Sequence, residues 1–390
     1  MKKRTVFWIW MLAVLGTSCV YDYQAETGNL RDFVVIEGDI MIGGYTEVRV
    51  SLSGALSDNS AADRSIDATA YVEASDATRY TGPLDAIDTR SADPSLQYRL
   101  VVSCGRGTYA SEWESVLRSG PIESIDYRIS DDEKTMTVDV STRGEDSPYY
   151  RWIACETWEY HTPYIPSHYY VPSGTYDHGI LYPRDTILPF RLGENSGYCW
   201  NTARVRGIMT ASTEQLSENR LVRHELYSMG CYEQRISYIY SVELFQEAIS
   251  ERAYRFWETL NKNSQDVGGL FSPEPTEMAG NVHNANDPEE TVLGYISATV
   301  PSVKRIFILS DAIGFAQIPI ADRDVYDINP IYDEGDRLIR RKLYKAGYAV
   351  YMHPPMAPPG FFDWLPRRCV DCEVWGPGTR KKPDFWPYND

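Results

Sequence analysis

The sequence predicts a mainly β protein, with an N-terminal immunoglobulin-like β-sandwich followed by a larger β-rich domain that carries one amphipathic helix and a loop-rich C-terminal tail. Three observations lead to this fold class. Short runs of alternating apolar and polar residues recur along the chain, as in half-buried strands. Glycine, proline and asparagine clusters separate these runs. A single stretch has a clear helical apolar period, and 390 residues are enough for two or three domains.

The N-terminus has the features of an export signal. Lys2, Lys3 and Arg4 precede an apolar run over residues 6–15, and Gly16-Thr17-Ser18 leads into Cys19. Ten apolar residues are too few for a membrane-spanning helix. We therefore predict a lipoprotein signal peptide over residues 1–18 and lipid on Cys19. The alternative is a plain secretory signal with Cys19 as an ordinary thiol.

The next segments predict a tether and then a sandwich. Residues 19–33 show little periodicity and are interpreted as a tether, and residues 34–119 contain several short strand patterns with turn signals between them. Thr46, Val48 and Val50 alternate with polar residues, which is typical of a strand with one buried face. This pattern favours a small antiparallel sandwich.

Residues 120–390 are predicted to form the larger domain. A helix is expected near 250–262, with Ser250 as its N-cap and Ala253, Phe256 and Leu260 on one apolar face. The last sixty residues are rich in proline and large aromatic residues. Because those aromatics need burial, we expect the tail to wrap around the main domain.

Six cysteines remain besides Cys19, and an exported protein meets an oxidising compartment that favours disulfides. The pairing is not fixed by the sequence, since six cysteines allow fifteen connectivities. The Cys369-Val370-Asp371-Cys372 spacing favours a structural disulfide, with a metal site, a redox motif or free thiols as alternatives. The disulfide candidates are Cys199, Cys231, Cys369 and Cys372.

Charge and motifs exclude several classes of function. The chain has 38 Lys and Arg residues against 55 Asp and Glu residues, a net charge of −17, so we expect no nucleic-acid partner. It has no GxSxG, HExxH or P-loop motif. We therefore predict a protein that is not an enzyme and uses no cofactor or metal.

A tyrosine-rich segment is the candidate binding surface. Tyrosine combines a flat apolar ring with a polar tip, which suits adaptable binding loops. The alternative is a long connection whose rings pack on their own domain. The candidate residues are Tyr160, Tyr164, Tyr169, Tyr170 and Tyr176.

A set of short motifs, spread over the mature chain in a fixed order, resembles the DUF4249 family of Bacteroidota lipoproteins. The motifs are Val35-Ile36-Glu37-Gly38, Tyr149-Tyr150-Arg151-Trp152, Glu156-Thr157-Trp158-Glu159, Cys199-Trp200, Ala253-Tyr254-Arg255-Phe256-Trp257, Gly268-Gly269-Leu270-Phe271, Pro275, Gly280-Asn281-Val282, Leu293-Gly294-Tyr295, Cys369-Val370-Asp371-Cys372 and Lys382-Pro383-Asp384-Phe385-Trp386.

This resemblance implies a lipid-anchored outer-membrane protein, on the surface or the periplasmic face, with a TonB-dependent receptor as a plausible partner. It carries over no catalytic residue. We therefore expect a ligand-binding or accessory component of a TonB-dependent transporter. The alternatives are an envelope adhesion or scaffold module and, less favoured, a glycan or peptide hydrolase.

Overall fold

The computed structural model describes residues 33–53, 64–191, 193–194, 196–231, 233–265, 280–313 and 328–387. The predicted signal peptide, Cys19 and the tether up to residue 32 lie outside the described residues, as do the motifs at 268–271 and Pro275. The described chain is mainly β, as predicted.

Twenty-nine strands are described, most of them short. In chain order they are β1 (Val34–Gly38), β2 (Ile40–Met41), β3 (Tyr45–Thr46), β4 (Val48–Leu52), β5 (Ala68–Ala74), β6 (Arg79–Thr81), β7 (Ile87–Asp88), β8 (Gln97–Cys104), β9 (Gly107–Ser111), β10 (Glu114–Ser115), β11 (Leu117–Arg118), β12 (Ile122–Ile129), β13 (Thr135–Arg143), β14 (Tyr149–His161), β15 (His168–Val171), β16 (Thr175–Asp177), β17 (Ile180–Tyr182), β18 (Thr186–Pro189), β19 (Tyr198–Arg204), β20 (Met209–Ser212), β21 (Arg220–Gly230), β22 (Ile239–Ala248), β23 (Val282–Asn284), β24 (Val292–Leu293), β25 (Ala298–Val300), β26 (Ser302–Leu309), β27 (Ile331–Tyr332), β28 (Tyr348–Met352) and β29 (Asp363–Pro366). The helices are α1 (Glu251–Gln265), α2 (Ser310–Ile313), α3 (Arg337–Lys345) and α4 (Cys372–Trp375), with 3₁₀ turns at Gln234–Ile236 and Arg367–Cys369.

The first core is built by two groups of strands. One sheet has the order β24–β1–β4 and another β23–β9–β8–β5–β6. Alternate residues point inward, so that Val34 and Ile36 of β1 share this core with Val72, Leu100 and Val102 of the second sheet. Such alternation is what one buried face per strand requires.

Residues 282–300 also belong to the first core. β24 pairs in parallel with β1, β23 pairs with β9, and β25 pairs with β2 and β11. Val282, Val292, Ile296 and Ala298 are buried there. Residues 282–300 fall within the predicted larger domain, 120–390, because a strand pattern does not show which sheet a late strand joins.

The second core lies between the sheet β12–β13–β21 and the sheet β19–β14–β22–β26. Met136, Val138 and Val140 of β13 face it from one side, and Trp152 and Leu244 from the other. β14 is 13 residues long and pairs with β19, β20 and β22, so it is the main support for the segments that follow it.

Helix α1 starts where the sequence predicts a helix. The Ser250 hydroxyl accepts a hydrogen bond from the backbone N–H of Ala253 at 3.1 Å, which satisfies one of the free amides of the first turn. Ala253 and Phe256 are buried against Tyr149 and Tyr295. Since Tyr149 opens β14 and Tyr295 lies between β24 and β25, the helix covers the junction of the two cores.

The C-terminal residues 328–387, called the tail lobe below, contain strands and helices between the predicted loops. They contain the sheet β27–β29–β28 and helix α3. Asp333 organises the lobe: its buried carboxylate accepts from Trp364 Nε1 at 3.0 Å, Arg340 Nε at 2.7 Å and the Phe362 amide at 3.0 Å. The tail lobe contacts strands of the second core, where the Trp386 ring lies 5.7 Å from the Phe307 ring of β26 and Trp386 Nε1 donates to Glu159 of β14 at 2.9 Å.

Candidate functional site

The tyrosine-rich segment forms two nested hairpins instead of the predicted loop. β15 pairs with β18, and β16 pairs with β17 beyond them, so residues 162–191 form an arm. His178 and Gly179, with φ of 47° and 79°, close the outer hairpin. Two consecutive positive φ values match a type I′ turn, the two-residue connection that fits the twist of paired strands.

The arm lies against the tail lobe. The Tyr170 ring packs 4.9 Å from the Tyr344 ring and 5.5 Å from the Trp364 ring. The Ser167 amide donates to the Tyr351 carbonyl at 2.8 Å, and Arg341 of α3 pairs with Asp185 of the arm at 3.2 Å. Apolar, backbone and ionic contacts therefore fix the arm relative to the tail lobe.

A cleft of about 420 Å³ opens between the arm and the tail lobe. This volume falls within the range of about 300–1,000 Å³ that small-molecule sites occupy. Six of its thirteen lining residues carry aromatic rings: His168, Tyr169, Tyr170, Phe190, Tyr344 and Tyr348. Rings from both the arm and the tail lobe thus face the same cleft.

The cleft also has a charged side, formed by Arg367, Asp371 and Arg380. Asp371 is buried and accepts from Arg367 Nε and from Arg380 Nη2, both at 2.7 Å. Two guanidinium groups are therefore held by one carboxylate, and both arginine side chains remain substantially exposed, at 54% and 37%.

Backbone contacts fix this charged side before any ligand binds. The Cys372 amide donates to the Ser196 carbonyl at 2.7 Å, and the Ser196 hydroxyl donates to the Val370 carbonyl at 2.6 Å. On the opposite wall, burial lowers the pKa of His168, and the neighbouring His353 lowers it further. His168 is therefore mainly neutral at pH 7.

The five candidate tyrosines have different surroundings. Tyr169 and Tyr170 line the cleft. Tyr160 is buried beneath the tail lobe, where its hydroxyl donates to the Cys372 carbonyl at 3.0 Å and accepts from the Gly378 amide at 2.9 Å. Tyr164 packs against Tyr351. Tyr176 is 72% exposed on the outer hairpin.

Gly378 shows how closely the tail lobe approaches β14. A Cβ atom at this position would lie 2.6 Å from the Trp200 carbonyl oxygen and 2.7 Å from the Tyr160 hydroxyl. Only glycine allows this approach without displacement of the backbone.

Sequence reasoning missed the tail-lobe side of the cleft: Tyr344, Tyr348, Arg367, Asp371 and Arg380. One signal was present, because Asp336 before α3 and Ala346-Gly347 after it are typical helix boundaries. The pairing of this lobe with the arm had no such signal, since it joins residues far apart in the chain, such as Tyr170 and Tyr344, which are 174 positions apart.

The structure joins Cys199 and Cys372 by a disulfide with a Cα–Cα distance of 5.7 Å. Cys231 and Cys369, the other two candidates, are buried thiols instead. Cys369 therefore does not pair within its CxxC motif, and burial raises the pKa of its thiol, which makes it a weak nucleophile.

The described residues contain no group of three or more His, Cys, Asp or Glu side chains that could hold a metal ion. Likewise, within the ranges given above, no helix is long and apolar enough to span a membrane.

Comparison with known proteins gives one family. The family model described as "Domain of unknown function (DUF4249)" matches residues 20–305, which is more than half of the chain. That match includes the first core, the arm and the second core up to residue 305, and it ends before the tail lobe. No curated protein matches the chain.

Proposed function

The chain belongs to the DUF4249 family, and from that premise we propose that it is an outer-membrane lipoprotein that binds a ligand in the cleft between the arm and the tail lobe. In this proposal Cys19 carries the lipid anchor, and the protein is an accessory component of a TonB-dependent transporter. It performs no catalysis of its own and needs no cofactor.

The observation that carries the proposal is the cleft itself. Its rings come from two chain segments, the arm and the tail lobe, that an ion pair and backbone hydrogen bonds hold together. A disulfide also ties the tail lobe to β19, which follows the arm. Such a site needs little reorganisation to accept a ligand, and this lowers the entropic cost of binding. Aromatic walls with a few polar groups are typical of ligand sites.

The anchor and the partner have separate support. The basic start, the apolar run and the small residues before Cys19 favour lipidation. Several acyl chains on one residue would hold the folded part at a membrane. The family resemblance favours a TonB-dependent receptor as the partner.

A scaffold or adhesion module is the second candidate, and the outer hairpin of the arm favours it. Tyr176, Ile180 and Leu181 are 72%, 53% and 49% exposed there. Clustered exposed apolar side chains often mark protein contacts. A hydrolase has less support, because Asp371 is the single carboxylate among the described residues that line the cleft and glycosidases commonly use two.

Fractionation of the native host tests the anchor and the partner together. We expect the tagged full chain to sediment with outer membranes and, in detergent, to co-purify with a TonB-dependent receptor. Cys19→Ser should move to the soluble fraction and lose the receptor. Cys104→Ser is the matched control, since Cys104 is a thiol outside the disulfide, and it should behave like the wild type.

Two results would contradict the proposal separately. Wild-type protein in the soluble fraction would rule out the lipid anchor. A membrane-bound chain that brings down no receptor would leave the anchor intact and remove the transporter from the proposal.

A further inference from the structure

The tail lobe differs in charge from the rest of the chain. Residues 328–387 contain ten Lys and Arg residues against seven Asp and Glu residues, whereas the remaining chain has 28 against 48. The lobe is thus weakly cationic in a strongly acidic protein. Because clefts focus the field of the charges that line them, a charge of this sign attracts anions.

The lining of the cleft has two arginines, Arg367 and Arg380, against one carboxylate, Asp371. Its two arginines share Asp371, and Arg380 also approaches Glu373, at 3.3 Å. Arg367 uses its Nε atom for Asp371, and within the described part of the chain its two Nη groups have no hydrogen-bond partner. A guanidinium group fixed through one edge presents its remaining N–H donors in the fork that matches a carboxylate, sulfate or phosphate.

The rest of the cleft wall offers ring faces. Tyr344 remains 45% exposed although it packs on Tyr170, and Tyr348 and His168 line the same space. Exposed aromatic faces beside a polar group suit flat or sugar-like rings, which have apolar faces and polar edges.

We propose that the cleft selects a ligand that carries an acidic group on a sugar-like or flat ring. Arg367 and Arg380 bind the acidic group, and Tyr344 and Tyr348 contact the ring. The inference rests on the proposed ligand-binding function and defines its ligand class. A volume of about 420 Å³ fits one or two such rings rather than a polymer.

Calorimetry with a matched pair of probes tests this class. 4-Nitrophenyl β-D-glucuronide and 4-nitrophenyl β-D-glucoside differ only at C6, which is a carboxylate in the first and a hydroxymethyl group in the second. We expect the full chain to bind the glucuronide at least tenfold more tightly at low salt. The preference should shrink at 0.5 M NaCl, where exposed charges are screened.

Variants show which part of the cleft wall, the arginines or the aromatic rings, accounts for the preference for the glucuronide. Arg367→Gln and Arg380→Gln should each reduce the preference for the glucuronide several-fold, whereas Tyr344→Ala should weaken both probes. The controls are Arg90→Gln, an exposed arginine of the first core, and Tyr176→Ala on the outer hairpin, which should change neither affinity. The salt dependence of the wild type tests the inference without any variant.

Equal affinity for the two probes would overturn the inference and leave ligand binding in place. A preference that survives both arginine substitutions would overturn it as well. Binding of neither probe would also overturn it, and the receptor co-purification would then decide independently whether the proposed function stands.

Discussion

At the scale of single residues, three charged groups cluster between the two cores, and the two carboxylates among them are buried. Arg151 of β14 donates through Nη1 to Asp39 and to Glu247, with 3.2 Å to the latter. Asp39 also accepts from the Ser297 amide at 3.0 Å. One cation faces two carboxylates, and a second buried negative charge without its own cation is costly.

The pKa of Glu247 is raised in this cluster. Burial raises it from its ordinary value of 4.5 to about 8, and the nearby Asp39 adds to the effect while Arg151 opposes it. Burial raises the pKa of Asp39 too. The folded cluster therefore holds a proton at neutral pH that the unfolded chain has released.

Because of this proton, the free energy of unfolding should fall as pH rises. Between about pH 4.5 and 8 the folded state binds more protons than the unfolded state, so the Glu247 contribution to stability falls as pH rises and levels off above pH 8. The slope is at most about 1.4 kcal/mol per pH unit. Glu247→Gln, which stays neutral, should flatten this part of the profile in urea unfolding measured from pH 5 to pH 9.

Glu123→Gln is the control, because Glu123 pairs with Arg220 at the surface and should leave that part of the profile unchanged. A Glu247→Gln profile as steep as that of the wild type would show that Glu247 does not hold this proton.

At the scale of elements, the sequence predicts an element well when the residues that define it are close together in the chain. α1 was predictable because its N-cap and its apolar stripe lie within eleven residues, from Ser250 to Leu260. The contact between the arm and α3 was not, since Tyr170 and Tyr344 are 174 positions apart and no local pattern shows that they meet. The cleft between them was therefore hidden, although two of its residues were singled out. α3 itself has an N-cap at Asp336 and an apolar pair, Ile339 and Leu343, so this helix had a local pattern that was overlooked.

The disulfide holds the tail lobe to the second core. It joins β19 to α4 across 173 residues. A link that closes so long a loop commonly adds about 2–5 kcal/mol of stability. We expect Cys199→Ser to lower the melting temperature by several degrees and to make the tail lobe more sensitive to limited proteolysis.

Cys104→Ser again supplies the comparison and should leave melting and digestion nearly unchanged. An unaltered digestion pattern in Cys199→Ser would mean that the Tyr160 hydrogen bonds and the buried Trp386 hold the tail lobe without the disulfide.

At the scale of the whole molecule, the chain leaves the first core after β11, builds the second core and returns through β23, β24 and β25. Asn281 fixes the return: its side chain accepts from the Ile296 amide and donates to the Ile296 carbonyl, both at 2.8 Å. The sequence predicted two β-rich units and could not show this return, because strand periodicity identifies a buried face and not the sheet to which it belongs.

The return makes the first core dependent on residues that lie far along the chain. A fragment of residues 33–119 would lack Val282, Val292, Ile296 and Ala298, and β1 and β9 would each lose a pairing strand. Exposed strand edges beside an incomplete core favour aggregation over folding. We therefore expect this fragment to show no cooperative thermal transition by circular dichroism. Co-expression with residues 120–387 should restore a folded complex, whereas a cooperative transition of the fragment alone would show that residues 282–300 only cover a core that is already complete.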